Sequence, residues 1–155
     1  MEILSKSLSE TENFAKEFLA KLNRPAPSAT ADGAGQAGAT LVGLHGELGS
    51  GKTTFVQLVG KKLGVKESIT SPTFVIMKSY SLTAKRYTLL VHIDAYRLDS
   101  GKDLLALGWQ EIMADPKNLI LLEWPERVSD ILPKNYPCLD FQFMDDTTRK
   151  INFFI

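Results

Sequence analysis

The sequence predicts an α/β protein of three layers, in which helices cover a sheet of mixed parallel and antiparallel strands. Three observations lead to this fold class. A short apolar strand runs into a glycine-rich loop and then a helix, two later apolar segments each end in an acidic residue, and the last two segments alternate apolar with polar residues. Few helical segments separate the later strands, so not every strand pair can be joined by a parallel crossover.

Length and composition are those of one globular domain spanning residues 1–155. The chain is long enough to bury a core, and its 44% hydrophobic and 23% charged residues are ordinary for such a domain. The 18 basic residues balance the 18 acidic ones, which argues against a surface that grips nucleic acid by itself. No segment approaches the ~20 apolar residues of a membrane span, and the N-terminus lacks a signal peptide's apolar run. We therefore expect a cytoplasmic protein with no membrane contact.

The first predicted element is a helix in SLSETENFAKEFLAKL, residues 7–22. Ser9 and Glu12 have the spacing of a capping box. The apolar residues that share one helical face are Phe14, Ala15, Phe18, Leu19 and Leu22. Residues 25–39 are rich in alanine and glycine and almost free of large apolar residues, so they are predicted to form a flexible linker within the domain.

The remaining elements follow in chain order. TLVGLHG is predicted as a buried strand, and GKTTFVQLVGKKLGV as a helix with Lys61 and Lys62 in its last turn and Gly64 at its end. TFVIMKSY, RYTLLVHID and NLILLEW are predicted strands, and GKDLLALGWQEIMAD is a helical connection interrupted by glycine. CLDFQFM and KINFFI are predicted to pair through a hairpin turn at DDTT.

Residues 46–53, GELGSGKT, fit the phosphate-binding loop pattern G-x-x-x-x-G-K-[ST]. Glycines allow positive φ and bring backbone N–H groups close to phosphate oxygens, and the following helix directs its positive end at the same charge. Lys52 would reach the β- and γ-phosphates, and the Thr53 hydroxyl would bind Mg²⁺. The fold class is therefore a P-loop NTPase-like three-layer sandwich. The predicted nucleotide contacts here are Gly46, Glu47, Leu48, Gly49, Ser50, Gly51, Lys52, Thr53 and Thr54.

Two carboxylates are candidates for the second acidic element that such a site needs. Asp94 ends LLVHID and Glu123 ends LILLE, and both segments are predicted as central strands. Both side chains would therefore emerge at the same edge of the sheet as the loop, where either could help to hold Mg²⁺. The spacing does not decide which of the two binds the metal directly.

The sequence signatures of several classes of P-loop protein are absent from this chain. The guanine-reading Asn-Lys-x-Asp of GTPases is absent, and Arg97, Arg127 and Arg149 do not form the cluster that a small-molecule kinase uses as a lid. The residues by themselves leave open an ATPase, a small phosphotransferase and a nucleotide-switched binding module.

Five segments resemble the bacterial TsaE (YjeE) family in order and spacing. They are GELGSGKTTF, SPTF at 71–74, HIDAYRL at 92–98, LG at 107–108 followed by Glu111, and LLEWPERV at 121–128. The resemblance implies the ATPase component of the machinery that makes threonylcarbamoyladenosine in tRNA. It implies ATP or ADP and Mg²⁺ as ligands, and slow hydrolysis that depends on the partner proteins TsaD and TsaB. Contact with tRNA would be indirect, through that complex.

The resemblance also implies roles for individual residues. The catalytic residues would be Lys52, Thr73, Asp94 and Glu123, and the metal ligands would be Thr53, Glu123 and Asp94. Thr73 resembles a switch threonine that senses the γ-phosphate or its metal; the alternative is a Ser-Pro turn that opens a strand. Thr11, Trp124 and Arg149 would contact the nucleotide.

His45 and His92 lie in apolar strands. Neither has the neighbours of a metal site, so we expect both to be core histidines whose ring nitrogens bond to backbone groups.

Overall fold

The computed structural model describes residues 1–22, 38–72 and 74–155. The predicted linker at 25–39 lies outside the described residues except for Gly38 and Ala39. Thr73 also lies outside them. The strands are β1 (Glu2–Ser5), β2 (Thr40–His45), β3 (Met77–Ser81), β4 (Leu89–Asp94), β5 (Asn118–Glu123), β6 (Cys138–Phe143) and β7 (Arg149–Phe154). The helices are α1 (Leu8–Leu22), α2 (Lys52–Lys62), α3 (Lys102–Ala106) and α4 (Trp109–Ala114), and a 3₁₀ turn spans Pro125–Val128.

All seven strands join one sheet in the order β1-β7-β6-β2-β5-β4-β3. The central strands β6, β2, β5 and β4 run parallel, whereas β3 at one side and β7 and β1 at the other pair antiparallel. The predicted mixed sheet is therefore confirmed. Because the parallel strands point the same way, the chain leaves β2, β4 and β5 at one common edge.

Helices cover both faces of this sheet, as the alternation of side chains along β5 illustrates. Leu119 and Leu121 belong to the core beneath α1 and α2, whereas Ile120 and Leu122 pack with α3, α4 and the 3₁₀ turn on the opposite face. The predicted three layers are confirmed. Among the described residues, no helix has both the length and the apolar character to cross a membrane.

The first helix buries the predicted apolar face, but its capping box is not the predicted one. The helix begins at Leu8, so Ser9 and Glu12 already lie inside it. The Ser7 hydroxyl oxygen instead accepts from the Glu10 N–H at 3.2 Å, and the Glu10 carboxylate accepts from the Lys6 N–H at 2.7 Å. Ser7 and Glu10 have the same three-residue spacing, and these two bonds satisfy backbone N–H groups at the helix start.

Strand β3 begins later than TFVIMKSY suggested, at Met77. Residues 74–76 form a turn in which Ile76 has a φ of 65°, a left-handed conformation that interrupts an extended chain. Strand β4 also begins later than RYTLLVHID suggested, at Leu89, and strand β1 was not predicted. Strands β5, β6 and β7 agree closely with their predicted segments. The helical segment breaks between α3 and α4 at Gly108, and residues 145–148 form the turn of the β6–β7 hairpin.

Candidate functional site

The loop between β2 and α2 has a backbone shape that requires glycine. Gly46 has a φ of 135° and Gly51 a φ of 105°. A Cβ atom on Gly46 would also collide with the carbonyl oxygen of Phe141 in the neighbouring strand β6. Residues with side chains rarely adopt such φ values, so the glycines of the motif follow from the geometry of the loop.

Helix α2 starts at this loop, and no side chain of its own cap or first turn neutralises its positive N-terminal end. Its N-cap is Gly51, which provides no side-chain cap bond, and its first turn contains no acidic residue. Capping carboxylates and hydroxyls normally occupy this position because they accept from the first N–H groups. The start of α2 can therefore offer these N–H groups to a bound anion.

Lys52 is folded back onto the loop from which it extends. Its Nζ donates to the carbonyl oxygens of Gly46 at 2.6 Å and Glu47 at 2.9 Å, and it lies 4.4 Å from the centre of the Trp124 ring. The residue is only 4% exposed. Burial lowers the pKa of the Lys52 ammonium below its usual value, while the nearby carboxylates of Glu123 and Asp94 act in the opposite direction.

The two predicted carboxylates are brought together by the register of the sheet. Asp94 and Glu123 are direct partners in the parallel β4–β5 pair, and both are buried. The Glu123 Oε1 atom accepts from the Thr53 hydroxyl at 2.7 Å, and the Asp94 Oδ1 atom accepts from the Tyr96 N–H at 3.0 Å. The first turn of α2 is thereby joined to the end of β5.

The expectation that both histidines bond to backbone groups is wrong. The His92 Nε2 atom lies 2.8 Å from Oε1 of Glu123, and the His45 Nδ1 atom lies 3.1 Å from a carboxylate oxygen of Glu126. Side chains alternate between the two faces along a strand, so His92 lies on the face of the sheet that α2 covers and His45 lies on the other face. The His92 contact depends on the register of β4 against β5, and the His45 contact depends on the position of the 3₁₀ turn that follows β5.

Two adjoining clefts open at this edge of the sheet. The first, of ≈ 250 Å³, is lined by Leu48, Gly49, Gly51, Lys52, Thr53, Thr54, Ser71, Asp94, Glu123, Trp124 and Arg149. The second, of ≈ 140 Å³, shares Gly51, Thr54 and Arg149 with the first. Its other walls come from the start of α1, the P-loop and the last hairpin: Ser7, Leu8, Thr11, Ser50, Phe141, Asp146, Thr147 and Ile151.

Most of the predicted nucleotide contacts lie around these two clefts. Thr11 and Arg149, which are far apart in the chain, both line the second cleft. The Arg149 guanidinium donates to the carbonyl oxygens of Asp145 and Thr148, which orients it along the hairpin turn. Gly46 and Glu47 face the site through the carbonyl groups that hold Lys52. As ligand contacts, these residues stay predictions.

Trp124 follows Glu123 in an unusual conformation. Its φ of 59° is left-handed, and its ring packs against Tyr96 with the centroids 5.0 Å apart. This backbone turn brings the indole over Lys52 immediately after the buried strand ends. Arg97 instead stacks over the ring of Phe74 at 4.9 Å and does not line either cleft.

The donor set beside the loop fits Mg²⁺. Within the described ranges, no group of three or more histidines, cysteines or acidic residues is arranged as a complete metal site. Mg²⁺ needs no such cage, because it keeps several waters and usually takes one or two carboxylates together with substrate phosphates. The Thr53 hydroxyl, Glu123 and the neighbouring Asp94 provide oxygen atoms of this kind.

Fold and site together define a P-loop α/β protein with a phosphate-binding loop at the edge of a mixed sheet. The sequence model of the family described as "Threonylcarbamoyl adenosine biosynthesis protein TsaE" matches residues 5–151. The chain belongs to this family. Membership supports a P-loop ATPase-type role in threonylcarbamoyladenosine biosynthesis.

Individual relatives agree with this assignment. A protein of Rickettsia bellii is 34% identical over 147 residues, which cover 94% of this chain and 89% of the relative. One of Treponema pallidum is 38% identical over 112 residues, covering 72% and 79%. Both are named tRNA threonylcarbamoyladenosine biosynthesis protein TsaE. The crystal structure of Bacillus subtilis YdiB superposes with a TM-score of 0.70 at 25% identity, covering 99% of this chain and 83% of YdiB.

Proposed function

We propose that this protein binds ATP with Mg²⁺ at the β2–α2 loop and hydrolyses it as one subunit of the tRNA threonylcarbamoyladenosine machinery. The observation that carries the proposal is the 2.7 Å bond between the Thr53 hydroxyl and Glu123, which brings a hydroxyl and a carboxylate, both suited to Mg²⁺, together at the N-terminus of α2. The names of the Rickettsia bellii and Treponema pallidum relatives support the biological role.

The residues of the loop would bind and orient the triphosphate. The N–H groups at the start of α2 would donate to phosphate oxygens, and Lys52 would exchange its bonds to the Gly46 and Glu47 carbonyls for bonds to phosphate oxygens. Thr53 and Glu123 would hold Mg²⁺, which when bound supplies positive charge against the β- and γ-phosphates. Asp94, in register with Glu123, would orient the attacking water.

We expect slow hydrolysis by the isolated chain because of the way the arginine of the first cleft is bonded. The arginine in its lining, Arg149, already donates to two backbone carbonyls. Fast P-loop hydrolysis commonly needs a free guanidinium, supplied in cis or by a partner, to stabilise charge in the transition state. We therefore infer that TsaD and TsaB complete or reorganise this site. Since the chain has zero net charge, tRNA would bind through those partners.

The test is steady-state ATP hydrolysis by the chain with and without TsaB and TsaD. Lys52→Ala should reduce hydrolysis at least ~100-fold, because it removes the cation that contacts the transferred phosphate. Lys61→Ala is the matched control, since Lys61 lies on the same helix but at its far end, where it pairs with Glu12. Hydrolysis by the wild-type chain should rise when both partners are added. A rate indifferent to the partners would contradict the role in tRNA modification, and activity in Lys52→Ala would contradict the site.

A further inference from the structure

His92 is a polar residue in one of the most buried parts of the protein. Its side chain is 0% exposed, and it lies near the end of β4 on the face that α2 covers. Preceding positions on this face of β4 and β5 are the buried leucines Leu90, Leu119 and Leu121. Polar side chains replace leucine only where these two strands reach the first turn of α2. The position of His92 thus coincides with the proposed metal site.

The hydrogen bonding of the ring fixes its tautomer. The Nε2 atom lies 2.8 Å from Oε1 of Glu123, whereas the buried Nδ1 atom has no hydrogen-bond partner. A proton on Nδ1 would leave a buried donor without an acceptor and would direct the Nε2 lone pair at a carboxylate oxygen. The neutral ring therefore carries its proton on Nε2, and this N–H donates a hydrogen bond to Glu123.

Two donors of different kinds thus converge on one oxygen of Glu123. The Thr53 hydroxyl and the His92 ring both bond to Oε1, and Oε2 takes part in neither bond. A threonine hydroxyl that donates its proton keeps its lone pairs for a metal, so the Thr53 bond is compatible with Mg²⁺ binding. The His92 bond comes from a rigid buried ring and fixes the carboxylate from the strand side.

We propose that His92 is a positioning residue, which holds the Glu123 carboxylate in the orientation that Mg²⁺ requires. The inference rests on the proposed function of this site and adds a residue that acts through Glu123 rather than on the nucleotide. Partners that orient a metal-binding carboxylate typically change metal affinity or activity by ~10–100-fold when they are removed.

The experiment measures the affinity of a fluorescently labelled ADP across a range of Mg²⁺ concentrations and again in excess EDTA. His92→Phe keeps a ring and removes the donor, and His92→Asn introduces an amide on a side chain that is too short to reach Glu123. For both, we expect the Mg²⁺ concentration at half-saturation to rise ~10–100-fold, with little change in ADP affinity in EDTA. His92→Gln, whose amide N–H reaches roughly the position of Nε2, should restore most of the Mg²⁺ dependence. If His92→Phe does not fold, the Asn and Gln pair decides.

A double variant separates action through Glu123 from a general loss of structure. Glu123→Gln and Glu123→Gln with His92→Asn should have the same Mg²⁺ dependence, because His92 then has no carboxylate left to orient. An unchanged half-saturation in His92→Asn, or equal weakening with Mg²⁺ and with EDTA, would overturn the inference and leave the proposed function standing. If wild-type ADP binding did not respond to Mg²⁺ at all, both would fall.

Discussion

The Lys52 ammonium already has partners within the protein. Two of its donors are used by the carbonyls of Gly46 and Glu47, and the Trp124 ring lies against the ammonium. Bonds from an ammonium to phosphate oxygens are charge-assisted and stronger than bonds to neutral carbonyls, so binding of a nucleotide should draw Lys52 away from this arrangement. The indole would then lose a cation at 4.4 Å.

This geometry predicts that Trp124 reports nucleotide binding by fluorescence. The chain has two tryptophans, and the other, Trp109, begins α4 and is buried in the core cluster against which Trp124 also packs. Addition of ADP or ATP should change the intrinsic emission of the wild type, because the charge next to the indole moves. Trp124→Phe should abolish the change while still binding labelled ADP.

Lys52→Met provides the matched control, since it removes the cation and keeps the length of the side chain. Its emission before addition of nucleotide should already differ from that of the wild type. A full response in Trp124→Phe would show that Trp109 is the reporter and would contradict the assigned origin of the signal.

At the residue scale, the sequence predicted the groups that belong to local motifs. Lys52 and Thr53 follow from the loop pattern, and Asp94 and Glu123 follow from their places at strand ends. The sequence did not predict the contact between His92 and Glu123, because it joins residues that are 31 positions apart through the register of β4 and β5. Periodicity identifies a strand but does not specify which residues face one another across it.

The pairing of α1 with α2 shows the same limit at the scale of an element. The SLSETE segment contains two Ser-x-x-Glu spacings, Ser7 with Glu10 and Ser9 with Glu12. The structure uses the first as the cap, while the Glu12 carboxylate extends to α2 and pairs with Lys62 at 2.8 Å and Lys61 at 3.4 Å. Local propensity cannot distinguish two caps with the same spacing. The structure caps the helix with Ser7 and Glu10, which leaves Glu12 to contact α2.

The pairs with Lys62 and Lys61 keep the pKa of the Glu12 carboxyl below its ordinary value of 4.5. A lowered pKa means that the folded state favours the charged form, so its contribution to stability is present above that ordinary value. The contribution disappears as the pH falls further, through the lowered pKa. Glu12→Gln should therefore lower the thermal midpoint near neutral pH in low salt, and the difference from the wild type should vanish in acid.

The measurement is thermal unfolding followed by circular dichroism across this pH range. In ~1 M salt the difference at neutral pH should shrink, because screening then acts over ~3 Å. Glu17→Gln, which removes the same charge from an exposed position on α1, is the matched control. A midpoint difference that stayed constant down to strongly acidic pH would mean that the ion pairs do not stabilise the contact between the helices.

At the scale of the whole molecule, the parallel centre of the sheet could be predicted, whereas one of its two edge strands could not. Strands β2, β4 and β5 are apolar runs with clear boundaries, and their common direction follows from the connections between them. Strand β1 was missed, since it has four residues and its partner β7 lies at the other end of the chain. A short edge strand has little periodicity of its own, and its pairing is a property of the completed fold.

Phe55 packs in the core directly behind the proposed nucleotide site. Phe55 follows the P-loop on α2, and its ring lies 5.3 Å from Phe18 of α1, 5.4 Å from Phe141 of β6 and 6.0 Å from Phe14 of α1. It is 0% exposed, so removal of its ring would leave a cavity between three elements of the fold. Helix α2 thus rests on aromatic packing directly behind the end that is proposed to bind phosphate.

Phe55→Ala should therefore lower the free energy of unfolding by ~3–5 kcal/mol, a large part of the ~5–15 kcal/mol of a typical domain. Phe55→Leu, which keeps much of the apolar volume, should cost less, on the order of 1.5 kcal/mol.

Urea denaturation of the three proteins without nucleotide measures both values, and the same series with saturating ADP tests the connection to the site. Ligand that binds only the folded state adds a stabilisation set by its concentration relative to its dissociation constant. If Phe55 positions the loop as well as the core, ADP will stabilise Phe55→Ala less than Phe55→Leu and the wild type. Equal stabilisation of all three would show that the loop keeps its geometry without the aromatic cluster behind it.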